Sequence, residues 1–163
     1  MCRIALGLDY QVTVCDPREA YREEWNIAGA TLVHTMPDDT VEAMRIDARS
    51  AVVALTHDPK LDDLALMEAL RTPAFYVGAL GSRRNNAARR ERLRLFDLDD
   101  ARIARLRGPA GIYIGSRTPP EIAISILAEI TAARNGVVLS SELGVAQAKA
   151  RRSVPDDAAA LCA

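Results

Sequence analysis

The sequence predicts an α/β fold: a parallel sheet wound on both faces by helices. Two observations carry this. Short apolar, β-branched runs alternate with longer helical segments through the first 134 residues, the order that a parallel sheet with crossover helices requires. The run Ser50–Thr56 is apolar almost throughout, as a strand covered on both faces should be.

The elements follow in order. Residues 1–8 read as the end of a helix. Gln11–Cys15 is a strand, stopped by Asp16-Pro17, since proline lacks the N–H that a ladder needs. Ala30–His34 is a second strand. Pro37–Arg45 is a helix with Asp38 and Asp39 in its first turn, where negative charge is favoured. Ser50–Thr56 is the third strand and the one expected to be central. Leu61–Leu70 is a helix, Ala74–Val77 a fourth strand, Ser82–Phe96 an arginine-rich helix and Asp99–Leu106 a short one. Gly111–Ile114 has the composition of a fifth strand. Pro119–Arg134 is the longest helix. Thr118 and Glu121 have capping-box spacing, and Pro119 suits the first helical position. Gly136 ends it. Right-handed crossovers make this a Rossmann-like, doubly wound domain over residues 1–136. Residues 137–163, rich in Ala, Arg and Asp towards the end, are expected to form a partly disordered tail.

Composition narrows the function. The chain has 163 residues, 49% of them hydrophobic, and a net charge of −1, which fits one globular domain without a global attraction to nucleic acid. Few aromatics argue against base stacking. No apolar run approaches the ~20 residues of a membrane span, and the N-terminal stretch is too short for a signal peptide, so the cytoplasm is expected. The three cysteines have no CxxC spacing and there are two histidines; neither a disulfide framework nor a zinc site is expected. No G-x-S-x-G elbow, Walker loop or HExxH stands in the chain.

Ligands of such sheets bind at the carboxyl ends of the strands. Asp16 closes the first strand, where a carboxylate either binds a ribose hydroxyl or forms a turn before Pro17. His57 and Asp58 follow the third strand, as an acid–base pair or ligand anchor, or with Asp58 as a helix cap. Gly78-Ala79-Leu80-Gly81-Ser82-Arg83-Arg84 has two glycines that let backbone approach a ligand closely. It also has a capping Ser82 and two arginines at a helix N-terminus, an anion-binding arrangement. Arg83, Ala87, Arg90 and Arg94 share one stripe of that helix, which is either a continuation of the site or a solvated face. Arg117, just before Thr118, is a further candidate anion ligand. The helix after it is apolar except for the line Glu121, Ser125 and Glu129. It is expected against the sheet and against a second subunit, hence a homodimer.

These stretches, Val14–Arg18, Ala51–Asp63, Phe75–Arg84, Ile114–Ala123 and Ser125–Ile130, closely resemble the Rossmann domain of the XdhC/CoxI family. The resemblance implies an accessory protein that binds molybdenum cofactor (molybdopterin). Such a protein assists sulfuration of the cofactor and its insertion into xanthine dehydrogenase-type molybdenum hydroxylases, with the apo-enzyme and a cysteine desulfurase as partners. The implied cofactor-binding residues are Asp16, His57, Asp58, Gly78, Gly81, Ser82, Arg83, Arg84, Arg117 and Thr118. A carrier of this kind needs no nucleophile, and none is evident. The family's separate N-terminal domain, first strand and glycine-rich loop have no counterpart here, so the sheet is expected to lack that strand. An NAD(P)-binding oxidoreductase fragment, or a truncated remnant that binds nothing, are the alternatives.

Overall fold

Strand–helix alternation along the chain becomes, in the computed structural model, two parallel sheets held between helices; residues 1–21, 25–56, 58–140, 143–145 and 148 are described. Helix α1 (Cys2–Leu6) leads to β1 (Val12–Cys15), a 3-10 turn (Glu19–Tyr21), β2 (Ala30–Val33), α2 (Pro37–Ala43) and β3 (Ala51–Ala54). Then come α3 (Pro59–Ala69), β4 (Tyr76–Ala79), α4 (Arg83–Arg94), α5 (Asp100–Ala104), β5 (Leu106–Arg107) and α6 (Pro119–Arg134). β1 pairs with β2, and β3, β4 and β5 pair in that order, every one of these ladders parallel.

Alternate side chains of the strands go to opposite faces, and two apolar clusters result. On one face Val52 and Ala54 of β3 and Val77 and Ala79 of β4 pack with Val41, Leu66, Leu70 and Leu93 from α2, α3 and α4. On the other, Tyr76, Ala51 and Val53 pack with Ala5 of α1 and with Ile126, Leu127 and Ile130 of α6. Helices on both faces are the doubly wound arrangement the sequence predicts.

Three expectations are corrected. The fourth strand is Tyr76–Ala79, not Ala74–Val77. Ala74 is still held in the preceding turn, its N–H donating to the Thr72 hydroxyl at 3.3 Å. Gly78 is therefore strand rather than loop, and a Cβ on it would run into the Tyr76 ring. The central strand is β4, buried at every residue, whereas Ala51, Val52 and Val53 of β3 are half-buried. An edge of β3 borders a cavity, described below. Finally, Gly111–Ile114 is not a strand. β5 is Leu106–Arg107, at the place assigned to the end of the short helix. That helix ends at Arg105, its C-cap, whose guanidinium donates to the carbonyls of Leu70, Thr72 and Ala74. Ile112 docks on α6 instead, accepting from the Ser125 hydroxyl at 2.5 Å.

Past α6, Gly136 has φ +69°, the left-handed residue that ends many helices. The chain then returns, with the Tyr113 N–H donating to the Leu143 carbonyl at 2.7 Å. The remainder of the expected tail, residues 149–163 above all, lies outside the described residues. No described helix is long and apolar enough to cross a membrane.

Candidate functional site

Parallel pairing delivers the ends of β3 and β4 to the same place. The Leu80 N–H donates to the Ala54 carbonyl at 2.9 Å, one step beyond the strands. Thr56 and Gly81 therefore leave the sheet side by side. Gly81 has φ +132°, a conformation that side chains resist. It turns the chain so that Ser82 N-caps α4, its Oγ accepting from the Asn85 N–H at 3.1 Å. Arg83 and Arg84 occupy the first turn, exposed, and meet no hydrogen-bond or ion-pair partner among the described residues. The first N–H groups of a helix have no partner within it. Two unpaired cations beside unpaired donors, at the positive end of a helix dipole, form an arrangement that an anion would relieve.

Behind this turn lies a buried ionic network. Asp62, 2% exposed, accepts from the Thr56 hydroxyl at 2.7 Å and from the Arg89 guanidinium at 2.7 Å. Arg89 also donates to Asp63 at 3.1 Å, to the Leu80 carbonyl at 3.1 Å and to the Asn86 side chain at 3.1 Å. The Asn86 amide in turn donates to the Ser82 carbonyl at 3.1 Å. Burial pushes the Asp62 carboxyl up from its ordinary value, against the Thr56 hydrogen bonds and the Arg89 charge. Asp63 also takes Arg92 at 2.5 Å, which raises that guanidinium's pKa. The network ties the turn after β3 to the turn after β4, and so sets where Gly81–Arg84 stands. Sequence reasoning passed over Asp62, Asp63, Asn86 and Arg89. The available signal was the spacing Asn86, Arg89, Leu93, the stripe of α4 that is buried.

The stripe singled out instead divides. Arg90 donates to the carbonyls of Ile103 at 2.7 Å and Leu106 at 2.6 Å. Arg94 pairs with Glu91 at 2.6 Å and Asp100 at 3.0 Å. Both hold α4 to α5 and β5, so they are not a continuation of an anion site.

Other candidates have visible local roles. Asp58 N-caps α3, accepting from the Lys60 N–H at 2.9 Å; His57 lies outside the described residues. Asp16 accepts from Arg18 with both oxygens, at 2.8 and 2.7 Å, and that hydrogen bonding lowers its pKa. Thr118 is the N-cap of α6, and the Glu121 carboxylate accepts from the backbone N–H groups of Thr118 at 2.9 Å and Arg117 at 2.6 Å. The Arg117 side chain is exposed and without a described partner.

The direction of α6 places Arg117. At its far end Arg134 lies over the ring of Tyr10, which precedes β1, 4.9 Å from the centroid. Glu129 accepts from the hydroxyl of Tyr76, at the start of β4, at 2.7 Å. α6 therefore runs against the strands, and Thr118 and Arg117 fall on the carboxyl-end side with Gly81–Arg84. Asp16 and Thr56 share the lining of a cavity between β1 and β3; Arg83, Arg84 and Arg117 stand outside it.

A family model described as the XdhC Rossmann domain matches residues 1–130. The chain is 35% identical over 130 residues to the uncharacterized protein YqeB of Escherichia coli (strain K12), covering 78% of this chain and 24% of that one. It is 33% identical over 90 residues to the molybdenum cofactor insertion chaperone PaoD of the same organism, covering 55% and 28%. A solved structure from Bacillus halodurans, described as a xanthine dehydrogenase, matches with TM-score 0.68 at 26% identity, over 85% of this chain and 40% of that one. The chain thus spans about a quarter of the length of these curated relatives.

Proposed function

The chain belongs to the XdhC Rossmann domain family, and from that premise we propose that it binds molybdenum cofactor and assists its insertion into a molybdenum hydroxylase. The observation that carries this reading is the Ser82-capped start of α4 with Arg83 and Arg84 beside it, exposed and without a partner among the described residues. Molybdopterin carries a phosphate, and this donor set fits one. The likeness to a relative named as a molybdenum cofactor insertion chaperone supports the same class of ligand.

When bound, the cofactor supplies the redox-active molybdenum that the target enzyme needs. The chain's own residues bind and orient. The backbone at Gly81 and Ser82 approaches the anionic end, and Arg83 and Arg84 hold its charge. Arg117, on the same side of the sheet, offers a third guanidinium. Asp62 and Arg89 keep the turn in place from behind. No step asks for a nucleophile. Sulfuration with a cysteine desulfurase, delivery to a xanthine dehydrogenase-type apo-enzyme, a homodimeric state and a cytoplasmic location complete the proposal.

Titration of the purified chain with molybdenum cofactor, and separately with NAD(H), tests it. Binding of the cofactor is expected, with NAD(H) inert. One charge-assisted contact contributes about 1.5–3 kcal/mol, so Arg83→Ala should weaken binding roughly ten- to a hundredfold. Arg83 is exposed, so the fold should be unchanged. Unaltered affinity in a folded Arg83→Ala protein, or binding of NAD(H) alone, overturns the assignment.

A further inference from the structure

We propose that a second cavity, beside β5, binds a small organic monocarboxylate. The cavity is about 320 Å³, at the lower end of the roughly 300–1,000 Å³ that small-molecule sites occupy. It shares no lining residue with the cavity between β1 and β3 or with the Gly81–Arg84 turn. The proposal goes beyond the cofactor reading and does not rest on it.

Four parts of the chain form the walls. β5 is the edge strand of its sheet, and Arg90 of α4 reaches it by donating to the Leu106 carbonyl at 2.6 Å. The loop after β5 brings Pro109 and Ile112, and α6 brings Glu129. The segment that returns past α6 adds Leu139 and Val145. That segment is docked, with the Tyr113 N–H donating to the Leu143 carbonyl at 2.7 Å and Ile112 bridged to Gly144.

Charge sets the sign of the ligand. The ionisable groups of the described lining are Arg90, Arg107 and Glu129. Arg89, Arg92 and Arg94 of α4 each pair with a carboxylate. Arg90, half-buried, donates to the carbonyls of Ile103 and Leu106 instead and pairs with no carboxylate among the described residues. Carbonyls satisfy its N–H groups but leave its charge without a counter-ion, which is costly away from water. Arg107 is exposed and has no hydrogen-bond or ion-pair partner among the described residues. Glu129 already accepts from the Tyr76 hydroxyl at 2.7 Å and from the Gly111 N–H at 2.6 Å, and its charge offsets one guanidinium, not both.

The lining therefore favours a single negative charge. A carboxylate matches the planar fork of Arg107 with two oxygens, and the Arg90 charge adds attraction. A second negative charge, as on phosphate, meets Glu129, and that like-charge contact discriminates against it. The apolar atoms of Pro109, Ile112 and Val145 offer a surface to a carbon skeleton, so the ligand is organic.

Nuclear magnetic resonance titration of the isotopically labelled full chain tests this. The probe is benzoate; benzamide is its uncharged isostere, and inorganic phosphate is the anion without a carbon skeleton. Benzoate should give saturable shifts at the amides of Arg107, Gly108 and Ile112 and none at Gly81–Arg84, with benzamide and phosphate at least tenfold weaker. The Arg107 side chain holds nothing else in the fold, so Arg107→Gln should keep the parent's urea midpoint and bind benzoate at least tenfold more weakly. The comparison with benzamide is made on the parent chain and stands whatever Arg107→Gln does to stability. The proposal is overturned by no saturation at millimolar benzoate, by equal binding of benzamide or phosphate, by shifts centred on Gly81–Arg84 or on the β1–β3 cavity, or by undiminished binding to a folded Arg107→Gln protein.

Discussion

Glu121 binds two backbone N–H groups with one carboxylate, and those hydrogen bonds hold its pKa below the ordinary value of 4.5. A folded-state pKa below the unfolded one means stability that is complete above about pH 4.5 and lost as pH falls through the lower, folded value. Glu121→Gln should therefore be less stable than the parent at pH 7 and lose that deficit by pH 3, read as urea midpoints at both. A deficit equal at both pH values would show that the charge of Glu121 does not matter. Two glycines give a paired test of backbone strain. Gly111 has φ +103°, and a Cβ there would strike the Ser125 hydroxyl; Gly115 has φ +76° with open space around it. Gly115→Ala should cost only the left-handed penalty, about 1–2 kcal/mol, and Gly111→Ala distinctly more, because Ser125 is buried and bonded to Ile112. The caps at Ser82 and Thr118 and the turn at Gly136 were legible in the sequence because each depends on neighbours within four residues. The partners of Arg89 were not: its spacing with Asn86 and Leu93 marks the buried stripe, but Asp62 and Asp63 are 27 and 26 positions away, and no local pattern encodes them.

α4 shows how an element can be read correctly and its faces wrongly. Its extent, its Ser82 cap and its wealth of arginine were all expected, yet the arginines do three different things. Arg83 and Arg84 face solvent, Arg90 and Arg94 brace α5 and β5, and Arg89 is buried against carboxylates with its side chain 6% exposed. Stripe spacing alone could not separate them, since a helix so rich in charge offers no apolar face to fix its rotation. Asn86 and Leu93, buried on the same stripe as Arg89, show the phase. Removing one partner of a buried ion pair leaves the other charge uncompensated, at about 3–5 kcal/mol. Arg89→Met should therefore destabilise the fold by that order, while Arg84→Ala stays within about 0.5 kcal/mol. Equal urea midpoints for the two variants would mean that the network is ornamental. The polar line Glu121, Ser125 and Glu129 on α6 carries the complementary lesson. The sequence marks it plainly, and its purpose appears only with Ile112, Gly111 and Tyr76 in place. Glu129 accepts from the Gly111 N–H at 2.6 Å as well as from Tyr76. Burial and the Glu129 charge push the tyrosine pKa up.

At the scale of the whole molecule, hydrogen bonding between strands is broken into two blocks while packing is continuous. Helices α2 and α3 lie together and α6 reaches across, but no described ladder connects β1–β2 to β3–β4–β5. Strand–helix alternation made the fold class legible, and the resemblance implied a sheet without its first strand. How the two edges would resolve was not, because direct closure and an open gap have the same local sequence signals. Opening free energies differ among parts of a protein according to how many contacts each part must break. The β1–β2 block, half-buried along β1, can open while the β3–β5 block, with β4 buried throughout, stays folded. Native-state hydrogen exchange at low denaturant should therefore show the amides bonded between β1 and β2 exchanging at least tenfold faster than those bonded between β3 and β4. The β4 amides should exchange only through global unfolding, with a denaturant dependence equal to that of the whole chain, and the β1 amides with a smaller one. Coincident free energies and equal denaturant slopes in both blocks would show a single cooperative unit, in which packing through α2, α3 and α6 transmits stability across the gap as fully as a ladder would.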